Sequence, residues 1–238
     1  MKIPFNNFHA EYTGIKSEIN EAVARVLSSG WYILGKELAS FEAEFSEYLG
    51  GGYVVGVASG TEAIALALMA LGIGQGDEVI TTSMTAFPTI TGIQMAGATP
   101  VVVDILPDSG LINPALIKAA ISSETKCIVP VHLYGQSCNM SEISAIAKKY
   151  GLSIVEDCAQ SSGASYCGWK TGTIGTLGCF SFYPTKNLGA YGDAGAVYTK
   201  DKNIRQKLIS LRNYGQTTRY VHDEFGINSR MDEIQAAI

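Results

Sequence analysis

Gly178-Cys179-Phe180-Ser181-Phe182-Tyr183-Pro184-Thr185-Lys186-Asn187-Leu188-Gly189-Ala190 decides how the rest of the chain reads. It is a short apolar strand running into a proline-containing turn that presents one lysine, followed by a glycine-rich return. In a low-dielectric pocket an ammonium loses hydration, its pKa falls, and the free amine becomes a nucleophile toward aldehydes. A lone loop lysine is ordinarily solvated. A second stretch, Ile154-Val155-Glu156-Asp157-Cys158-Ala159-Gln160, changes that balance because there an acid closes another strand.

Outward from these two stretches, short β-rich runs alternate with helical ones. Strands are expected near 53–58, 78–82, 100–104, 127–131, 153–157, 178–183 and 194–199. Helices are expected at 15–28 and 36–49, then near 61–71, 87–96, 114–121, 141–150 and 163–170, with Gly163 and Gly168 weakening the last. Apolar strands interleaved with helices imply an α/β fold, a mostly parallel seven-stranded sheet with helices on both faces. Ligands of such sheets sit outside the carboxyl ends of the strands, which places the loops starting at 59, 83, 132, 157 and 184 on one rim. The expected organisation is an N-terminal segment and helix at 1–35, then a large domain at 36–238.

With 238 residues, 47% apolar and 16% charged, the chain is long enough for a sizeable core. Its net charge of −5 is spread out, with no basic block, which argues against a nucleic-acid or anionic-membrane partner. No apolar run reaches the roughly 18 residues of a membrane span, and the start of the chain has no signal-peptide core. Five cysteines without a C-x-x-C pair read as reduced thiols, several in or beside apolar strands, and the expected location is cytoplasmic. His9, His132 and His222 lack ligand spacing for zinc, so no metal is expected; His132 reads as a strand-end packing or substrate-contact residue.

Ser59-Gly60-Thr61 ends the first strand and opens a helix. Ser59 can cap it, and the amides of Gly60 and Thr61 point at whatever sits there, as a phosphate would require. There is no G-x-G-x-x-G and no G-x-x-x-x-G-K-[ST], so neither a dinucleotide nor a nucleoside triphosphate is signalled. A phosphate-binding helix start, a carboxylate at Asp157, and Lys186 with Ser181 just before it match the needs of one cofactor. Pyridoxal 5′-phosphate requires an amine for its aldehyde, an anion against its pyridine nitrogen, and donors around its phosphate. Ser181 can donate to that phosphate, and Gln160 can reach the ring hydroxyl side.

Three runs carry a resemblance: Val155 to Ala164, Phe182 to Gly189, and Gly226-Ile227-Asn228-Ser229-Arg230-Met231-Asp232-Glu233-Ile234-Gln235-Ala236-Ala237. In this order they resemble the DegT/DnrJ/EryC1/StrS family of nucleotide-sugar aminotransferases, from about residue 3 to the last residue. Also matching are Gly35, the helix with Phe41, Ser59-Gly60-Thr61-Glu62-Ala63 and Gly76-Asp77-Glu78-Val79-Ile80. The resemblance implies the large domain of a fold-type-I PLP-dependent transferase that moves an amino group from L-glutamate to a nucleotide-linked keto-sugar, serving polysaccharide or antigen biosynthesis. It makes Lys186 the Schiff-base lysine and Asp157 the pyridinium partner. Gln160 falls on the cofactor's hydroxyl side; Gly60, Thr61 and Ser181 fall on its phosphate. Asn228 resembles the residue that reaches a neighbour's phosphate across a homodimer with a shared active site. Relatives that dehydrate keto-sugars have histidine where this chain has Lys186, so the resemblance points to a transaminase.

Two departures stand out. Where the family commonly has an aromatic ring over the cofactor, this chain has Ala86, with Phe87 one place later; the stacking residue is left unassigned. Family chains also continue past the N-x-R-M helix into a small C-terminal domain, so a chain truncated inside that helix is the expectation here. The Thr85-Ala86 start and Tyr183 to Gly189 are most like members acting at C3 of dTDP-linked 6-deoxyhexoses. Arg212, Tyr214, His222 and Arg230 are candidates for a substrate carboxylate or diphosphate, or equally surface or interface residues. The rival readings are a non-catalytic PLP-fold regulator or inactive fragment, and a purely structural α/β domain.

Overall fold

The computed structural model describes Ile3 and residues 5–238. Residues 1, 2 and 4, which fall in the expected first unit, lie outside the described residues. In chain order the elements are α1 (Phe8–Ser29), α2 (Lys36–Tyr48), β1 (Tyr53–Val57), α3 (Gly60–Ala70), β2 (Glu78–Thr82), α4 (Pro88–Met95), β3 (Thr99–Val103), α5 (Pro114–Ala120) and β4 (Thr125–Ile128). A short 3-10 turn at Leu133–Gly135 leads to α6 (Met140–Tyr150) and β5 (Ser153–Asp157). Then come β6 (Ser165–Tyr166), β7 (Trp169–Lys170), β8 (Leu177–Ser181), β9 (Gly195–Thr199), α7 (Lys202–Leu211), β10 (Gln216–Thr218), β11 (Val221–His222) and α8 (Glu233–Ala237).

Seven strands form one sheet in the order β1-β9-β8-β5-β4-β2-β3. Only β9 runs against its neighbours; it pairs antiparallel with both β1 and β8, while the other pairings are parallel. The two faces can be read strand by strand, because successive side chains alternate. Val55, Val79, Cys127, Val155, Cys179 and Val197 pack on one side with α3 and α7 residues such as Leu66 and Leu208. Their neighbours Ile80, Ile128 and Ile154 pack on the other side with Ile117 of α5 and Ile143 of α6. On that side too, Phe180 and Ala196 meet Leu38 and Phe45 of α2. Both faces are therefore covered, as a parallel sheet requires.

Two expectations are corrected. Residues 163–170 do not form a helix but a hairpin, β6 pairing with β7. Its two-residue turn has Cys167 and Gly168 both at positive φ (49° and 85°), the backbone a tight hairpin demands and a helix forbids. The Asn228–Met231 run is not helical either. It has no regular structure beyond Asn228 bridging antiparallel to Asn213, and α8 starts only at Glu233. At the other end α1 is longer than periodicity suggested; Asn7 caps it by accepting from the Ala10 amide.

Glu233 ties the start of α2 to α8. It is 2% exposed, and its carboxylate accepts from the amides of Gly35 (2.8 Å), Glu37 (2.8 Å) and Leu38 (3.2 Å). Those are the donors that α2 leaves unpaired at its start, and Gly35 itself has no side chain to cap them. A negative charge there also suits the helix dipole. Glu233→Ala strands these amides; a loss of about 2 to 3 kcal/mol is expected in urea denaturation, with Glu233→Gln recovering part of it.

Candidate active site

The rim at the carboxyl ends of β1, β5 and β8 encloses a cleft of about 220 Å³. Six of the seven residues singled out by sequence line it: Gly60, Thr61, Asp157, Gln160, Ser181 and Lys186. Thr85, Ala86, Thr89, Tyr183 and Asp193 complete much of the wall. Asn228 is not among them. It lines a separate cavity with Ile33, Arg230, Asp232 and Gln235, and Asp193 borders both spaces.

The phosphate-type cradle is built by α3 and β8. Ser59 caps α3 by accepting from the Glu62 amide at 3.2 Å, and its carbonyl takes the Ala63 amide. That leaves the amides of Gly60 and Thr61 without an acceptor among the described residues. A Cβ on Gly60 would meet the Ser181 Cβ at 2.6 Å, so glycine lets the helix start close directly against the Ser181 side chain. Two free amides and a nearby hydroxyl on a helix N-terminus form an anion site.

Asp157 is 4% exposed at the end of β5. Its Oδ1 accepts from the Ala159 amide at 3.0 Å and its Oδ2 from the Thr89 hydroxyl at 2.8 Å. Burial pushes its carboxyl above the ordinary range; the Ala159 amide, Thr89, His132 and Lys186 each oppose that rise. A buried carboxylate in this state calls for a cation. Lys186 supplies a half-buried amine on the loop after β8, with no ion pair among the described residues, and its loop is pinned by the Lys186 amide donating to the Tyr183 carbonyl at 2.8 Å. The cleft thus joins an amine, a desolvated acid and an anion cradle, the donor set that pyridoxal 5′-phosphate needs. Ala86 faces the cleft whereas Phe87 is 72% exposed and does not line it, so the displaced aromatic is no ring cover in this chain.

Sequence reading missed the support beneath. His132 is fully buried: Nδ1 accepts from the Cys138 amide (3.1 Å), which leaves Nε2–H to donate to Glu156 Oε2 (2.9 Å). Glu156, also fully buried, accepts further from the amides of Gly172 (2.8 Å), Ile174 (2.8 Å) and Gly175 (2.6 Å). Cys158 approaches this pair, but the nitrogens of His132 and the oxygens of Glu156 are already engaged, which makes the trio a structural wedge. Four cysteines are buried and Cys167 is exposed; burial pushes the thiols of Cys127 and Cys138 up to about 12, far from thiolate chemistry.

Among the proposed substrate contacts, Arg212 is 6% exposed and committed to Glu42 (2.5 Å) and the Gly56 carbonyl (2.7 Å), so it braces α2 against β1. Tyr214 and His222 line another surface cavity, and Arg230 borders the one with Asn228.

A profile of the DegT/DnrJ/EryC1/StrS aminotransferase family matches residues 13–238. A dTDP-3-amino-3,4,6-trideoxy-alpha-D-glucose transaminase of Streptomyces venezuelae is 46% identical over 237 residues, covering 100% of this chain and 62% of that protein. A pleiotropic regulatory protein of Geobacillus stearothermophilus is 45% identical over 238 residues, covering 100% and 64%. The chain spans 62–65% of the length of these and similar curated relatives. Among solved structures, S. venezuelae DesV in complex with a ketimine intermediate superposes with a TM-score of 0.96 at 46% identity, covering 99% of this chain and 64% of that one. NtdA from Bacillus subtilis with bound cofactor PMP gives 0.88 at 36% identity, covering 99% and 54%.

Glu156→Ala removes the acceptor from three backbone amides and from His132 at once. We expect a loss of about 3 to 5 kcal/mol in urea denaturation.

Proposed function

Because this chain belongs to the DegT/DnrJ/EryC1/StrS aminotransferase family, we propose that its cleft binds pyridoxal 5′-phosphate and moves an amino group from L-glutamate to a nucleotide-linked keto-sugar. The observation that carries this reading is the convergence of Lys186, Asp157 and the Gly60–Thr61 helix start on one cleft. When bound, the cofactor supplies an aldehyde that joins amines and a ring that accepts the electron pair left behind by a departing proton.

The chain's own groups then divide the task. Lys186 would hold the cofactor through its Nζ, an amine that an incoming donor amine can displace. Once free, Lys186 Nζ takes a proton from the α-carbon of the donor and later delivers one to the sugar carbon that receives the amine. Asp157, pushed toward protonation by burial, would be held ionised by a cationic ring nitrogen and would in return keep that nitrogen protonated. The amides of Gly60 and Thr61 with Ser181 grip the phosphate. Gln160 would face the ring-hydroxyl side, its own Oε1 accepting from the Tyr134 amide at 3.3 Å.

Asn228 lies outside the cleft of its own chain, which agrees with service to the cofactor phosphate of a second copy in a homodimer. The sugar we favour is a dTDP-linked 3-keto-6-deoxyhexose, supported by the activity for which the S. venezuelae relative is named. A second reading, a regulator that keeps the cofactor but turns over no sugar, is favoured by the name of the G. stearothermophilus relative.

Lys186→Ala is expected to abolish the borohydride-reducible chromophore and to lower amino transfer by at least about 10²- to 10⁴-fold. The assay is transfer from L-glutamate to a panel of nucleotide-linked 3-keto and 4-keto sugars. A variant that retains chromophore and turnover rejects the reading. A change in the bound cofactor's absorption on adding L-glutamate, followed by sugar amination, separates enzyme from regulator.

A further inference from the structure

The cleft wall contains two threonines that the proposed reaction does not use. Thr89 is 1% exposed, in the first turn of α4, where Pro88 fixes the backbone entry. Its hydroxyl donates to Asp157 Oδ2 at 2.8 Å, and it lies 2.7 Å from the hydroxyl of Thr85, four residues earlier in the bend before α4. Both distances are those of well-formed O–H···O bonds. Thr85 and Thr89 both line the cleft.

Hydrogen counting sets the direction of this chain. An ionised carboxylate can only accept, so the single hydrogen of Thr89 goes to Asp157. Thr89 then has none left for Thr85, and the Thr85 hydrogen must go to Thr89. If Asp157 is protonated, its proton belongs on Oδ2, because Oδ1 already accepts from the Ala159 amide. Thr89 would then accept from the acid and donate to Thr85, and the Thr85 hydrogen would turn elsewhere. The two hydroxyls therefore reverse together with the charge of Asp157.

We propose that Thr85 and Thr89 form a hydroxyl relay that holds Asp157 ionised and fixes its orientation toward the cofactor's ring nitrogen, making both threonines positioning residues. The proposal rests on the PLP reading for its consequence, but the link from the relay to Asp157 stands on the hydrogen bonds themselves. Other titratable groups act on or beside Asp157: His132 after β4, Lys186 after β8, and Glu156, Cys158 and Cys179 on or next to β5 and β8. Conservative changes at the threonines leave all of these in place.

Thr89→Val keeps the shape and removes the donor; Thr89→Ser keeps the donor; Thr85→Val removes only the outer hydroxyl. With pyridoxal 5′-phosphate as the probe, Thr89→Val is expected to weaken binding about 10- to 100-fold, the range of a hydrogen bond to a charged group. Thr85→Val should weaken it about 2- to 10-fold, and Thr89→Ser should restore near-normal binding. A second readout needs no cofactor. Burial raises the folded pKa of Asp157, so stability is lost as pH rises from the unfolded value of about 4. Without the Thr89 donor the folded pKa rises further. The stability gap between Thr89→Val and the unaltered protein should therefore be small at low pH and widen as pH rises. In an Asp157→Asn background the gap should lose its pH dependence.

A pH-independent gap, with cofactor binding unchanged in Thr89→Val, overturns the relay. If Asp157→Asn itself binds the cofactor as well as the unaltered protein, the assignment of Asp157 to the ring nitrogen fails instead. The cofactor-free pH gap then still decides whether the threonines govern the charge of Asp157.

Discussion

One buried anion organises the rim. Glu156 sits in the middle of the sheet with no exposure, where an unpaired carboxylate would cost several kcal/mol. It is tolerable only because four donors converge on it: three amides of the 172–175 loop and the imidazole of His132. The constraint runs in both directions. The loop is held over β5 by that charge, and His132 is held at the end of β4, where its own amide donates to the Asp157 carbonyl at 3.0 Å. With the Asp157 amide donating to the Pro130 carbonyl at 2.9 Å, the reactive acid is fastened by its backbone before its side chain meets anything.

The two neighbouring acids show how one strand serves two purposes. Period-two alternation sends Glu156 and Asp157 to opposite sides. The first becomes saturated with hydrogen bonds and inert; the second retains only two protein donors, faces the cleft, and keeps a perturbed affinity for protons. Across the cleft the anion cradle is made from backbone amides, which need no side-chain ordering, and from a glycine whose lack of a Cβ brings α3 up to Ser181. Rigid strands and a helix start thus carry the polar groups, and loops are left to supply the amine.

Much of this was legible in the sequence. The seven strands could be located because each is a short apolar run between turn signals, and Asp157 and Lys186 stood out as ionisable groups at the ends of such runs. The 163–170 segment misled because Ala164 to Trp169 mixes small and aromatic residues at no clear period; the X-Gly pair Cys167-Gly168 between Tyr166 and Trp169 was the turn signal to weigh. The N-x-R-M stretch misled differently. Asn228 is held there by a bridge to Asn213, a contact with no local signature. Thr89 was invisible for the same reason, since its partner is 68 residues away. Arg212 was open as an anion contact or a surface or interface residue, and only burial beside Glu42 showed its charge to be spent.

The carboxylate of Glu233 capping α2 from 198 positions away has a kinetic side. A helix whose start is completed only by so distant a residue must wait until that residue has been made and brought back. Loop closure over that span comes before any stabilising return, a hallmark of slow, high-contact-order assembly. During synthesis, α2 would dwell as a frayed and partly wetted segment, its Phe41 and Phe45 faces open to wrong partners until Glu233 arrives.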